Sequence, residues 1–142
     1  AAVVRNSGSL YAAGEQRLQV TGTLTNTGVI AAQGDNRIMA ERIDSGAQSL
    51  LGAGIKADGS LAQSGDLTLT ATQAITASGQ NLAAGHASLT GTSLDLGLSQ
   101  TSAGSIDLTA SHGNISTAGA VVSTPGLLSI TANNQEQQTL QN

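Results

Sequence analysis

Along this 142-residue chain, apolar and polar positions alternate in short bursts, and the bursts recur. A Gly followed four residues later by Leu or Ile occurs at Gly14/Leu18, Gly34/Ile38, Gly65/Leu69, Gly85/Leu89, Gly104/Leu108 and Gly126/Ile130. Successive spacings are 20, 31, 20, 19 and 22 residues. Two residues after each Gly stand Gln16, Asn36, Leu67, Ala87, Ile106 and Leu128, and six after it Val20, Ala40, Ala71, Gly91, Ala110 and Ala132. Between them lie Arg17, Arg37, Thr68, Ser88, Asp107 and Ser129, then Gln19, Met39, Thr70, Thr90, Thr109 and Thr131. Period-two alternation is the mark of a strand, whose successive side chains point to opposite faces. The first two sets, with the core stack Leu18, Ile38, Leu69, Leu89, Leu108 and Ile130, are therefore expected to face inward, Gln16 and Asn36 being the weak members. The other two sets face water.

Shorter strands are expected at residues 75–77, 94–96 and 115–117, and a third kind at 121–123, separated by corners such as Ser78-Gly79, Ala118-Gly119 and Pro125-Gly126. Gly at such corners supplies the backbone freedom a turn requires. A unit of about 20 residues cannot bury an apolar face by itself, so neighbouring units must stack into one continuous core. Short strands without intervening helices predict an all-β parallel β-helix, or β-solenoid, with coils of about 20 residues. Residues 1–142 are read as a single β-helix segment of a much longer filament. About seven coils at ~4.8 Å each give a rod roughly 33 Å long. The 31-residue spacing breaks the register, and its internal Gly46/Leu50 match leaves open an inserted or a shortened coil. A bulge is expected at residues 44–54, with Asp44, Gln48 and Lys56 as the possible binding loop.

Composition agrees with a thin core. Charged residues make up 10% of the chain, where about 25% is ordinary, and Tyr11 is the sole aromatic residue. The interior must be built from Leu, Ile, Val and Ala. The formal charge is −4, and no cation follows Lys56, which argues against a nucleic-acid footprint. No apolar run approaches the ~20 residues of a membrane span, so no membrane insertion is expected. The absence of Cys excludes disulfides and thiolate metal sites. It would also spare an exported chain crosslinking in the periplasm.

Three kinds of run recur: Gly65-Asp66-Leu67-Thr68-Leu69-Thr70-Ala71 with Gly104-Ser105-Ile106-Asp107-Leu108-Thr109-Ala110, then Leu24-Thr25-Asn26-Thr27-Gly28-Val29-Ile30-Ala31-Ala32, then Gly79-Gln80-Asn81-Leu82-Ala83-Ala84-Gly85. On these runs the chain resembles, over nearly its whole length, the filamentous haemagglutinin repeats of two-partner-secreted exoproteins, including the stalks of contact-dependent growth-inhibition toxins. The resemblance implies a right-handed parallel β-helix on the surface of, or secreted by, a Gram-negative bacterium. It also implies export through an outer-membrane two-partner transporter. The expected function is a structural stalk presenting adhesive or toxin domains to neighbouring cells. The alternative is a receptor- or glycan-binding adhesin module that uses corner loops.

Candidate chemistry is sparse. The residues following each anchor Gly are Glu15, Asp35, Asp66, His86, Ser105 and Leu127. Stacked carboxylates could hold a metal or cleave a polysaccharide, but the favoured reading is a solvated polar corner, its acids neutralised by Arg17 and Arg37 as exposed ion pairs of ~0–1 kcal/mol. His86 and His112 occupy different repeat positions and need not meet. Gly52-Ala53-Gly54 lacks the strand–loop–helix setting of a nucleotide loop. The Thr70, Thr90, Thr109 and Thr131 ladder could in principle face ice, yet outward Thr is ordinary on a solvent-facing strand. Asn26, Asn81 and Asn114 could line turns and hydrogen-bond neighbouring coils, but the favoured reading is turn residues tolerant of unusual backbone angles. Neither enzyme activity nor a cofactor is expected.

Overall fold

The computed structural model describes residues 3–132 and the backbone of 140–141. The described residues contain strands and turns with no helix, hence none long and apolar enough to cross a membrane. The first coil comprises β1 (Val4–Asn6), β2 (Ser9–Ala12) and β3 (Gln16–Gln19), and the second β4 (Thr23–Asn26), β5 (Val29–Ala32) and β6 (Asn36–Ala40). Coil three holds β7 (Arg42–Ser45), β8 (Leu50–Ala53) and β9 (Leu67–Ala71), and coil four β10 (Ile75–Ala77), β11 (Gln80–Ala83) and β12 (His86–Gly91). Coil five holds β13 (Leu94–Asp95), β14 (Gln100–Ser102) and β15 (Ser105–Ala110), and coil six β16 (Ile115–Ser116), β17 (Val121–Ser123) and β18 (Leu128–Ala132). The backbone of β19 (Leu140–Gln141) starts a seventh.

Every third strand belongs to the same sheet, and all ladders between named strands are parallel. The first sheet runs β1-β4-β7-β10-β13-β16-β19, the second β2-β5-β8-β11-β14-β17 and the third β3-β6-β9-β12-β15-β18. The chain is thus a three-sided β-solenoid of about six turns. In the third sheet Leu18, Ile38, Leu69, Leu89, Leu108 and Ile130 fall on one register line. Their neighbours on the first sheet are Val4, Leu24, Ile43, Ile75, Leu94 and Ile115, again in register. Ile38, Leu69, Leu89 and Leu108 are fully buried, and burying each such side chain contributes roughly 1.5–3 kcal/mol.

A second inward line of the third sheet is polar in its first two members. Asn36 is fully buried, and its side-chain amide donates to the carbonyls of Gly52 at 2.9 Å and Ile30 at 3.4 Å. The amide oxygens of Gln16 and Asn36 are buried without a partner. The same line continues as Leu67, Ala87 and Ile106, all buried and apolar. Asn26 is also interior: it accepts from the Asn6 amide at 3.0 Å and from the Gly28 N–H at 3.1 Å, and donates to the Leu50 carbonyl at 3.2 Å. Asn81 donates across coils to the Thr101 hydroxyl at 3.1 Å. These two asparagines, read from sequence as turn residues, lie on β4 and β11 and tie one coil to the next. Asn114 lies outside any strand.

The irregular 31-residue spacing is an insertion, and it lies later than expected. Residues 42–45 and 50–53 are strands in register with the coils before and after them. The departure falls between β8 and β9, where Ala53 and Leu67 are separated by 13 residues. Their register partners, Ala32 to Asn36 and Ala83 to Ala87, are separated by three. The Gly46/Leu50 match imitated the signature of a third-sheet strand while belonging to the corner and first residue of a second-sheet strand. The extruded segment leaves at Gly54 and returns at Gly65. Gly54 N–H donates to the Gly34 carbonyl (3.0 Å), and the Gly65 carbonyl accepts from Gly85 N–H (2.8 Å). The two glycines press together, a Cβ on Gly65 falling 2.3 Å from Gly54 N. Side-chain-free backbone on both legs therefore lets ten extra residues exit without spreading the coils.

Candidate binding site at the inserted hairpin

The extruded residues fold back as a small hairpin over the outer face of the second sheet. Ile55 and Leu61 form an antiparallel bridge, Lys56 N–H donates to the Ser60 carbonyl (2.8 Å), and Gly59 N–H donates to the Lys56 carbonyl (2.8 Å). At its tip the Asp58 carboxylate accepts from the Ser60 hydroxyl at 2.6 Å and the Ser60 amide at 3.0 Å. These bonds, the hydroxyl's foremost, hold the Asp58 carboxyl below its ordinary 3.8, and the neighbouring Lys56 charge adds to them.

Ile55 is buried although it lies outside the solenoid. Its side chain sits over Gly52, where an added Cβ would meet Ile55 Cγ1 at 2.9 Å and the Ala31 Cβ at 3.7 Å. Glycine at this outward strand position is the seat on which the hairpin rests. From the first coil, Tyr11 donates its hydroxyl to the Ile55 carbonyl at 2.8 Å, 44 residues away. Tyr11, Leu50, Lys56 and Gly59 then border a groove of about 380 Å³, floored by Val29 and Ala31. A second groove, of about 430 Å³, passes Met39 between Gln19 and Thr72, with neither a cation nor an aromatic residue in its lining.

The three residues expected to share a loop lie on separate parts of coil three. Asp44 is on β7, paired between Thr25 and Thr76 on the exposed face of the first sheet. Gln48 is exposed in the turn before β8, and only Lys56 reaches the hairpin. Tyr11 and Ile55 were not singled out as site residues from sequence. The available signal was that Tyr11 is the sole aromatic side chain and stands on the outward face of its strand.

Two of the corner acids, Asp35 and Asp66, bond the backbone of the next coil. Asp35 Oδ1 accepts from Asp66 N–H at 2.9 Å, and Asp66 Oδ1 accepts from His86 N–H at 2.9 Å. His86 Nδ1 then meets Ser105 Oγ at 2.6 Å. Each side chain thus secures the corner of the following coil. The His112 ring meets the neighbouring Ser111 hydroxyl at 3.1 Å while its backbone N–H donates to the Thr92 carbonyl at 3.2 Å, so the two histidines serve different coils. Among the described residues no three His, Cys, Asp or Glu side chains are grouped to hold a metal. Thr70, Thr90, Thr109 and Thr131 occupy one outward register line.

Uninterrupted parallel ladders, one apolar stack and loops confined to corners define a repeat rod. The chain belongs to the haemagglutinin repeat family, which matches at residues 11–57, 55–110 and 99–142. It is 49% identical over 130 residues, 91% of its length, to a protein named Toxin CdiA from Yersinia pestis. It is 42% identical over 83 residues, 58% of its length, to tRNA nuclease CdiA-2 from Burkholderia pseudomallei strain 1026b. The chain spans 4% and 3% of the length of these relatives. It is accordingly a repeat segment of a large secreted or cell-surface exoprotein of the Gram-negative type. No solved structure matches it significantly.

Proposed function

We propose that this segment is a non-catalytic stalk that spaces adhesive or toxin domains away from the producing cell, exported as part of its parent by an outer-membrane two-partner transporter. The supporting observation is that pairing register persists through all six coils, even across a ten-residue insertion. Load and length then pass along the ladders, while stacking energy is a sum of nearest-neighbour terms that suits coil-by-coil folding during export. The test is removal of one whole coil, residues 85–103. The shortened chain should fold and lose ~4.8 Å of length by small-angle X-ray scattering. In the full exoprotein, export and delivery should persist. Abolished delivery with intact export and folding would contradict a spacer role.

The inserted hairpin favours a second reading, in which the rod also carries a receptor- or glycan-binding module on a corner loop. A glycan array probed with this segment tests it, and a blank array counts against it.

A further inference from the structure

Resting on that second reading, we propose that the groove between Tyr11 and the inserted hairpin binds a sugar residue bearing a carboxylate. The hairpin is held from three sides before any ligand arrives: by the glycine pair at its base, by Ile55 seated on Gly52, and by the Tyr11 hydroxyl on the Ile55 carbonyl. Preformed sites avoid the ordering cost that weakens binding by mobile loops. The walls have the mixed character a pyranose needs. Val29 and Leu50 supply apolar surface from outward strand positions, and Tyr11, 38% exposed, supplies an amphipathic aromatic ring for sugar C–H faces. The volume of about 380 Å³ lies near the lower end of the usual ~300–1,000 Å³ for small-ligand sites. That size suits one or two sugar units better than a long peptide.

Charge selects the acidic sugar. Lys56 is the cation bordering the groove, placed there by the hairpin turn. The nearest competing anion, Asp58, already accepts two hydrogen bonds from Ser60. Lys56 thus brings one positive charge to a largely apolar lining, and the Asp58 carboxylate, which feels that charge, is itself held by Ser60.

The test is a titration of the isotopically labelled chain, followed by NMR, with methyl glucuronide, the neutral methyl glucoside and acetyl-aspartate amide. Glucuronide is expected to shift the resonances of Tyr11, Leu50 and Gly59 and to bind about threefold tighter than glucoside, as one exposed ion pair allows. Lys56→Gln should erase that preference without moving the melting temperature, and Tyr11→Phe should weaken both sugars. Equal binding of the two sugars, or acetyl-aspartate amide binding as well as glucuronide, overturns the assignment. So does silence at the groove up to about 10 mM. A glycan-array signal that survives Lys56→Gln and Tyr11→Phe would remove this site while leaving the broader binding reading intact.

Discussion

Coils three and four pass from the second sheet to the third at the same corner, one through 13 residues between Ala53 and Leu67, the other through three between Ala83 and Ala87. Strand positions on both sides of the corner remain paired residue for residue. A strand in a stack is constrained by two neighbours at once, since a one-residue slip would turn its apolar set outward. A corner answers to little beyond closure, and the entropic cost of lengthening a loop grows slowly. Variation therefore collects at corners, and a groove could be added there without cost to the ladders.

Replacing a buried side chain in the regular coil should break the comparison most completely. Leu89→Asp puts a carboxylate where Leu69 and Leu108 stack. An unpaired charge in such a core is far costlier than the ~2–5 kcal/mol of a Leu→Ala truncation. The cooperative circular-dichroism melt should vanish. An unchanged melt would refute the inward placement.

At the irregular corner, Gly54→Ala should destabilise by about 2 kcal/mol or more in urea titrations. Gly54 has φ +66°, and an added Cβ would lie 2.5 Å from the Ala84 Cβ; the left-handed conformation alone costs a non-glycine residue about 1–2 kcal/mol.

Excising residues 55–64 sharpens the comparison. It joins Gly54 to Gly65 and leaves three residues between Ala53 and Leu67, the spacing of the regular corners. Losing the Ile55 cover should cost about 1.5–3 kcal/mol, partly offset by a shorter loop, so denaturant midpoints should fall only modestly. A collapse of the fold would mean that the hairpin does more than sit on the rod.

Leu98, in the corner between β13 and β14, has φ +64° and is 78% exposed, and the corresponding corner of coil six carries Gly119 at φ +69°. Leu98→Gly should stabilise by about 1 kcal/mol, because it relieves left-handed strain and forfeits little burial. The smallest effect concerns pH. The Asp58 carboxyl is lowered in the folded hairpin, so its contribution is present above 3.8 and fades as pH falls through the lower folded value. The protection of the Ser60 amide against hydrogen exchange, measured relative to its intrinsic rate, should fall only in that acid range.

Although Leu128, expected to face inward, is 41% exposed, the alternating period of the third-sheet strands was legible in the sequence. So was the presence of an irregularity between Gly34 and Gly65. Both are periodic properties, and the pleat of a strand converts period directly into face. Which residues leave the rod was not legible, because the Gly46/Leu50 match looked like strand signature until Ser45 and Leu51 found register partners in the neighbouring coils. The capping of successive corners by Asp35 and Asp66 was hidden for a similar reason: their partners are amides of the next coil, 31 and 20 residues away.

By itself, then, the amino-acid sequence determined a stacked β-rod with an apolar interior of Leu, Ile, Val and Ala, since composition and short-range alternation carry that information within each coil. Only the tertiary structure decided that Tyr11 meets Ile55 and that Lys56 stands beside them while Asp44 does not. Those relations join residues from different coils, and their geometry exists only once each ladder has chosen its register.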